Sequence, residues 1–199
     1  MSKEKSKGEK IQIVAFSTNE SDNNPNELIN IYLENNNHII IKKTSIATAF
    51  TTQLTNTSKQ TKIMICSVLN LSKDYTGITD VNCYLLYLDL EKEDSKAKFE
   101  IIFNYAKENC DMAKKFFVFG MVSENKGEKC IKKEDIKTYL DESQVNYEYK
   151  DINVKDKKSI CDSFKAIFNY SMSHPLSREI KLNDKDDDQS ASCGINSSH

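Results

Sequence analysis

Tryptophan is absent from this 199-residue chain, and glycine and proline are scarce, with five and two copies. No glycine occurs between residues 9 and 76, which excludes a glycine-rich turn from the first third of the chain. Only three histidines are present, and the six cysteines stand singly, without a C-x-x-C pair. This pattern predicts reduced thiols in an intracellular protein, and it argues against a disulfide framework or a zinc site.

An excess of one charge and long apolar runs are also missing. The 28 basic and 30 acidic residues are interleaved along the chain, so the sequence predicts no nucleic-acid partner. No run approaches the ~20 apolar residues that span a bilayer, and the N-terminus lacks the apolar core of a signal peptide. Because six residues follow Cys193, it does not form a C-terminal prenylation signal. We therefore expect a cytoplasmic protein without a direct membrane anchor.

The order of apolar runs predicts one folded domain. Strands are expected at 10–16, 83–90, 114–122 and 145–152, and helices at 25–35, 95–110, 132–144 and 155–172. Two extended segments, 38–54 and 61–69, are joined by a polar turn and predict a hairpin. This order is typical of a doubly wound α/β fold, with a mainly parallel sheet, helices on both faces and one antiparallel edge strand.

The ends of the chain differ from this central part in composition. The stretch "NDKDDD" near the C-terminus has little apolar surface to bury, and the leader "MSKEKSKGE" is equally polar. We expect a disordered leader at 1–9, an α/β domain at 10–173 and a disordered tail at 174–199. The aromatic strings "FEIIFNY", "KKFFVF" and "SFKAIFNY" have helical or strand spacing, which predicts core packing and not an aromatic binding box.

The same order of elements, with a hairpin between the first two helices, resembles the Ras-like small GTPase domain. The strings "YTGITDVNCYLLYLD", "FVFGMVSENK" and "SFKAIFNY" are similar to the approach to its fourth parallel position, its guanine-recognition strand and its closing helix. In nucleotide-binding members, a glycine-rich loop, a lysine and a Ser/Thr hydroxyl hold phosphates and magnesium. The resemblance implies that any nucleotide site would follow the first strand.

The loop after the first strand lacks these phosphate-binding groups. Aligned with the family's motif, it reads Ala15, Phe16, Ser17, Thr18, Asn19, Glu20, Ser21 and Asp22. Neither glycine nor lysine is present, and the carboxylates of Glu20 and Asp22 would repel a triphosphate. The phosphate-loop positions Ala15, Glu20, Ser21 and Asp22 are thus degenerate, and we expect no cofactor.

The guanine-recognition positions are degenerate in the same way. Where the family has Asn and Lys followed by Asp, the chain has Met121, Val122, Ser123 and Glu124. The string "DYTG" at 74–77 matches the bare D-x-x-G pattern, but it lies too close to the next strand to leave room for a switch segment. We therefore expect no catalytic residue and no metal.

Such a chain looks like a pseudo-GTPase, and it is most similar to the alpha- and gamma-adaptin-binding protein family. The similarity rests on the glycine-poor loop, the spacing of the hairpin and the string "FFVFGMVSENKG". It implies a non-catalytic helper that binds large subunits of clathrin adaptors during adaptor assembly or vesicle traffic. The tail lacks the self-associating helix of the animal members, so the oligomeric state is open.

Two alternatives stay open at this point. The chain could be a divergent small GTPase with a relocated phosphate loop, or a structural GTPase-like subunit of a kinetochore or ciliary assembly. If it is an interaction module, we expect the contact surface at the segment "SIATAFTTQL", residues 45–54. This segment should lie at the edge of the sheet, where backbone groups can pair with a partner strand.

Overall fold

The computed structural model describes residues 10–17, 25–43, 47–53, 60–68, 80–122 and 131–176. Seven strands and four helices lie in these ranges. The strands are β1 Lys10–Ser17, β2 His38–Lys43, β3 Ala47–Gln53, β4 Gln60–Val68, β5 Cys83–Asp89, β6 Lys115–Val122 and β7 Tyr147–Asn153. The helices are α1 Pro25–Glu34, α2 Ser95–Asn109, α3 Lys133–Glu142 and α4 Lys157–Ser173. The predicted elements outside 38–54 agree with these bounds to within three residues.

All seven strands form one sheet in the order β2-β3-β4-β1-β5-β6-β7. β1 pairs in parallel with β4 and β5, and β5, β6 and β7 continue the parallel part. At the other end, β3 pairs antiparallel with both β2 and β4. The predicted doubly wound α/β fold, mainly parallel with an antiparallel edge, is confirmed.

The central strands are buried on both faces, as continuous apolar runs in a parallel sheet require. Side chains of β1 alternate between two clusters: Ile11 and Ile13 lie under α1 and α4, whereas Val14 and Phe16 lie under α2 and α3. Phenylalanines from the helices fill both layers, including Phe99 and Phe103 of α2, and Phe164 and Phe168 of α4. The prediction that the aromatic strings form core is confirmed for these residues.

A buried asparagine joins the end of α4 to the first strand. The Asn82 side chain accepts a hydrogen bond from the Gln12 backbone N–H at 2.7 Å. Its amide donates to the carbonyl oxygens of Ser171, at 3.2 Å, and His174, at 2.8 Å. The His174 ring also stacks on Tyr170, with ring centroids 4.0 Å apart. Packed structure therefore extends past residue 173, and residues 177–199 lie outside the described part.

The predicted extended segment 38–54 is not one strand. It contains β2 and β3, which form a hairpin of their own. The prediction that 45–54 lies at the sheet edge is therefore wrong, because β3 is paired on both sides and β2 is the edge strand. The run contains neither glycine nor proline, so its composition carries no turn signal that would have marked the division.

Candidate functional site

The carboxyl ends of β1, β5 and β6 form the edge at which open α/β sheets usually bind ligands. α1 follows β1 onto one face and α2 follows β5 onto the other, so the helices change face between these two adjacent strands. Three of the predicted site residues are described here. Ala15 and Met121 are buried in the cluster under α1 and α4, and Val122 packs on the opposite cluster.

These three positions present no polar side chain. The backbone carbonyls of the two guanine-recognition positions, Met121 and Val122, also accept hydrogen bonds from within the protein. The Met121 carbonyl accepts from the Leu90 N–H at 3.1 Å, and the Val122 carbonyl accepts from the Val154 N–H at 3.2 Å. Glu20, Ser21, Asp22, Glu124 and the string at 74–77 lie outside the described residues. Their predicted loss of nucleotide chemistry stays a prediction.

One carboxylate is buried at this edge. Asp89 ends β5, is only 5% exposed and accepts a hydrogen bond from the Glu91 N–H at 3.0 Å through Oδ1. The side chain thus caps the turn that leads toward α2, a position where Asp commonly satisfies the backbone. Since this carboxylate stabilises a turn, its burial is explained without a catalytic role.

Two thiols of the described residues, Cys83 and Cys110, are poorly suited to nucleophilic chemistry. Burial raises the pKa of the Cys83 thiol to about 12, and the pKa of the Cys110 thiol to about 11. A thiol must ionise to act as a nucleophile, so both are inert near neutral pH.

Across the part of the chain that the structure describes, no group of three or more metal-ligating side chains occurs. In that same part, no helix is both long and apolar enough to cross a membrane.

The most unusual surface of the molecule is the edge strand β2. Three consecutive isoleucines on it are exposed: Ile39 by 59%, Ile40 by 48% and Ile41 by 49%. Among the strands that the structure describes, β2 pairs with β3 alone, so no described strand pairs with the backbone groups on its other side. An exposed, apolar edge strand is a template for pairing with another chain.

The isoleucines cover both faces of this edge. Ile40 lies opposite the buried Phe50 of β3 and shares its face, on the side of α1. Ile39 lies opposite Thr51 and therefore points to the other face. The register shifts between Ile40 and Lys42, so Ile41 occupies a bulge. A bulge twists an edge and limits regular pairing, but it leaves these side chains exposed.

Two lysines follow the isoleucines. The Lys43 ammonium donates a hydrogen bond to the Asn30 side-chain oxygen at 2.7 Å, a neutral partner on α1. Lys42 is exposed and forms no hydrogen bond or ion pair with the residues that the structure describes. The strand contains no acidic residue. β2 is therefore an apolar edge with a positive end.

The opposite edge of the same sheet has the usual protection. The only aliphatic residue of β7 is Ile152, and it is fully buried. The exposed Glu148 of β7 forms an ion pair with Lys115 at 2.6 Å, and Asp151 lies 3.8 Å from Lys133. Charged side chains of this kind discourage pairing with other strands. The contrast between the two edges makes β2 the less protected edge and hence the candidate contact surface.

A second surface feature is a groove of about 230 Å³ between α2 and α3. Its walls carry acidic and basic side chains beside two rings: Lys96, Glu100, Asp135 and Glu142, with Phe99 and Tyr139. The groove is open to solvent, and its lining is about equally polar and apolar, in contrast with the enclosed, mostly apolar pockets that bind small molecules. We therefore take β2 as the candidate functional site.

No protein-family model matches the sequence, and no curated protein is significantly similar to it.

The position of β2 was missed by sequence reasoning, because "HIIIKK" has the composition of a buried strand. The two adjacent lysines are the signal that could have located it, since lysines are common on edge strands.

Proposed function

We propose that this chain is a non-catalytic protein-interaction module that binds its partner at the open edge of β2. The observation that carries the proposal is the run of exposed isoleucines on a strand edge with which no described strand pairs. A partner strand added there would form main-chain hydrogen bonds, and its side chains would cover the isoleucines. This mode of binding requires neither a cofactor nor a catalytic group.

The apolar part of such a contact is large enough to matter. Fully burying an isoleucine contributes about 1.5–3 kcal/mol, and three isoleucines of β2 are each about half exposed. Covering all three would contribute about 2–5 kcal/mol before the cost of ordering the partner.

We further propose that the domain is a pseudo-GTPase related to the adaptin-binding family. Support comes from the order of the sheet and from the apolar residues at the described phosphate-loop and guanine-recognition positions, Ala15, Met121 and Val122. The engaged carbonyls of Met121 and Val122 add to it. On this proposal, the large subunits of clathrin adaptors are the first partners to test, and kinetochore or ciliary components are the alternative.

Nucleotide binding is the test of the non-catalytic part. The purified full chain is denatured to release any bound nucleotide, and the native chain is titrated with GTP and magnesium in a calorimeter. We expect no released guanine nucleotide and no heat of binding. Micromolar affinity for GTP would replace this proposal with that of a divergent GTPase.

Partner capture tests the role of β2. The tagged chain and its Ile39→Lys variant are expressed in cells, and co-purified adaptor, kinetochore and ciliary subunits are quantified. The matched control is Ile101→Lys on α2, because Ile101 is 60% exposed and Ile39 is 59% exposed. We expect the β2 variant to lose the specific partner at least tenfold while the α2 variant retains it. Equal retention by both variants would exclude β2 as the contact.

A further inference from the structure

The chemistry of β2 also specifies the kind of strand that it binds. Resting on the function proposed above, we infer that the partner presents an extended segment with β-branched or aliphatic residues and an acidic end. The acidic end lies beside Lys42 and Lys43, and the apolar residues lie beside Ile39 and Ile40. The partner is thus a heterologous acidic strand.

The first step of the argument is the unneutralised charge at one end of β2. Lys42 forms no ion pair, and Lys43 is bound only to the neutral Asn30, within the ranges that the structure covers. Elsewhere on the described surface, lysines do find carboxylates, as Lys98 does with Asp94 at 2.8 Å. A carboxylate from a partner can therefore approach Lys42 without displacing an existing ion pair.

The second step excludes a second copy of this chain as the occupant. Another β2 would bring the same two lysines and no carboxylate, so self-pairing adds positive charge to an edge that is already positive.

The third step concerns the direction of the contact along the strand. The apolar side chains precede the lysines, and the bulge at Ile41 separates the two groups. Along the direction of β2, a partner strand therefore lies beside the apolar section before the bulge and beside the charged section after it. Main-chain pairing with a strand supplies the affinity, and the positions of its acidic and apolar residues supply the specificity.

Short peptides can test this inference on the full chain. Fluorescein-labelled DDVTVTV places its aspartates beside the lysines in antiparallel pairing, and VTVTVDD does so in parallel pairing. The peptide KKVTVTV has the opposite charge, and an N-methylated form of each acidic peptide cannot form the backbone ladder. Fluorescence anisotropy measures their binding at low salt and at 0.5 M salt, the latter being a concentration at which exposed charges are strongly screened, with a Debye length of about 4 Å.

We expect at least one acidic peptide to bind tenfold or more tightly than KKVTVTV, and this preference to shrink at high salt. The double change Lys42→Glu and Lys43→Glu should invert the preference. The matched control reverses Lys157 and Lys158, two consecutive exposed lysines at the start of α4, and should leave the preference unchanged. N-methylation should abolish binding.

Three results would overturn the inference: no charge preference, a preference that survives reversal of Lys42 and Lys43, or a dimer of the chain that Ile39→Lys dissociates in sedimentation analysis. Calorimetry with GTP on the same preparation separates this failure from failure of the proposed function. If the chain binds no nucleotide, a negative peptide result excludes only the acidic strand as the partner and leaves the proposed function in place. With nucleotide binding, the proposed function itself fails.

Discussion

Replacing Asn82 by alanine should weaken the domain at a position far from any proposed contact. The side chain is 1% exposed and joins the Gln12 N–H to the carbonyl oxygens of Ser171 and His174. Asn82→Ala removes all three hydrogen bonds and leaves no side-chain group that can reform them. The end of α4 would then lose its polar connection to β1.

The magnitude follows from the burial of the groups left behind. An unsatisfied buried donor costs about 1–3 kcal/mol, which applies to the Gln12 N–H. The carbonyl of the buried Ser171 still accepts from the His174 N–H at 3.3 Å, so the loss of its second hydrogen bond costs only about 0.5–1.5 kcal/mol. His174 is exposed, so water can replace part of the bond to its carbonyl. We expect a total loss of about 2–4 kcal/mol in the free energy of unfolding, with some relaxation included. For a chain of this size, the loss corresponds to a Tm lower by about 4–16 °C.

Urea unfolding followed by far-UV circular dichroism measures this effect, since the chain has no tryptophan for fluorescence. The midpoint should fall while the slope with urea stays constant. Asn104→Ala is the control, because Asn104 is exposed and its side-chain oxygen accepts a solvent-exposed hydrogen bond from the Tyr139 hydroxyl at 3.2 Å. A loss below about 0.5 kcal/mol for Asn82→Ala, the range of ordinary surface changes, would refute the reasoning.

Three other changes test the packing and titration of the core. In Gly120→Ala, the new Cβ would overlap the Tyr149 hydroxyl and lie 2.9 Å from the Tyr149 Cζ. We therefore expect the free energy of unfolding, measured with urea, to fall by about 1–3 kcal/mol. The loss should be smaller in a Tyr149→Val background, where the clashing ring is absent. The Tyr87 hydroxyl is fully buried and has no hydrogen-bond partner among the residues that the structure describes. Tyr87→Phe should therefore be neutral or stabilising by up to about 1 kcal/mol, and a loss above about 1 kcal/mol would indicate that the hydroxyl is satisfied. Burial raises the pKa of the Cys83 thiol to about 12, above the value of about 8.5 for a free thiol. As pH rises, the unfolded chain therefore loses this proton at a lower pH than the folded chain does. The free energy of unfolding should fall as pH rises above about 8.5. Urea midpoints between pH 8 and 10 should therefore fall less steeply in Cys83→Ala than in the unmodified chain, and equal slopes would contradict the assignment.

The parts of the fold that were predicted correctly are those with strong local periodicity. The strings "CYLLYLDL" and "KKFFVFGMV" are apolar without interruption, as strands covered on both faces must be, and β5 and β6 are buried over nearly their whole length. α4 shows the apolar stripe of Ile160, Phe164, Ile167 and Phe168 that the spacing predicts. Alternation of such elements leaves few possible topologies, so the doubly wound order followed.

The prediction that residues 45–54 form the edge of the sheet is wrong, and a contact at that edge stays a prediction. A contact at the antiparallel edge was expected from residues 45–54, and the structure places β2 outside them. The segments "HIIIKK" and "ATAFTTQ" are both rich in strand-forming residues, and local preference does not determine which of them is outermost. That choice depends on which strand pairs with β4, a contact between residues distant in the chain.

The sequence by itself determined the class of fold and the absence of glycine and lysine from the loop after β1, because period and composition are local properties. The tertiary structure alone decided that Ile39, Ile40 and Ile41 are exposed while the equally apolar Leu85 and Leu86 are buried. The physical reason is position in the sheet: β5 has a strand on each side and helices over both faces, whereas β2 has one neighbouring strand and incomplete cover in the described part of the chain. The bonds of Asn82 likewise join residues 70 and 89 positions apart, which only the folded chain brings together.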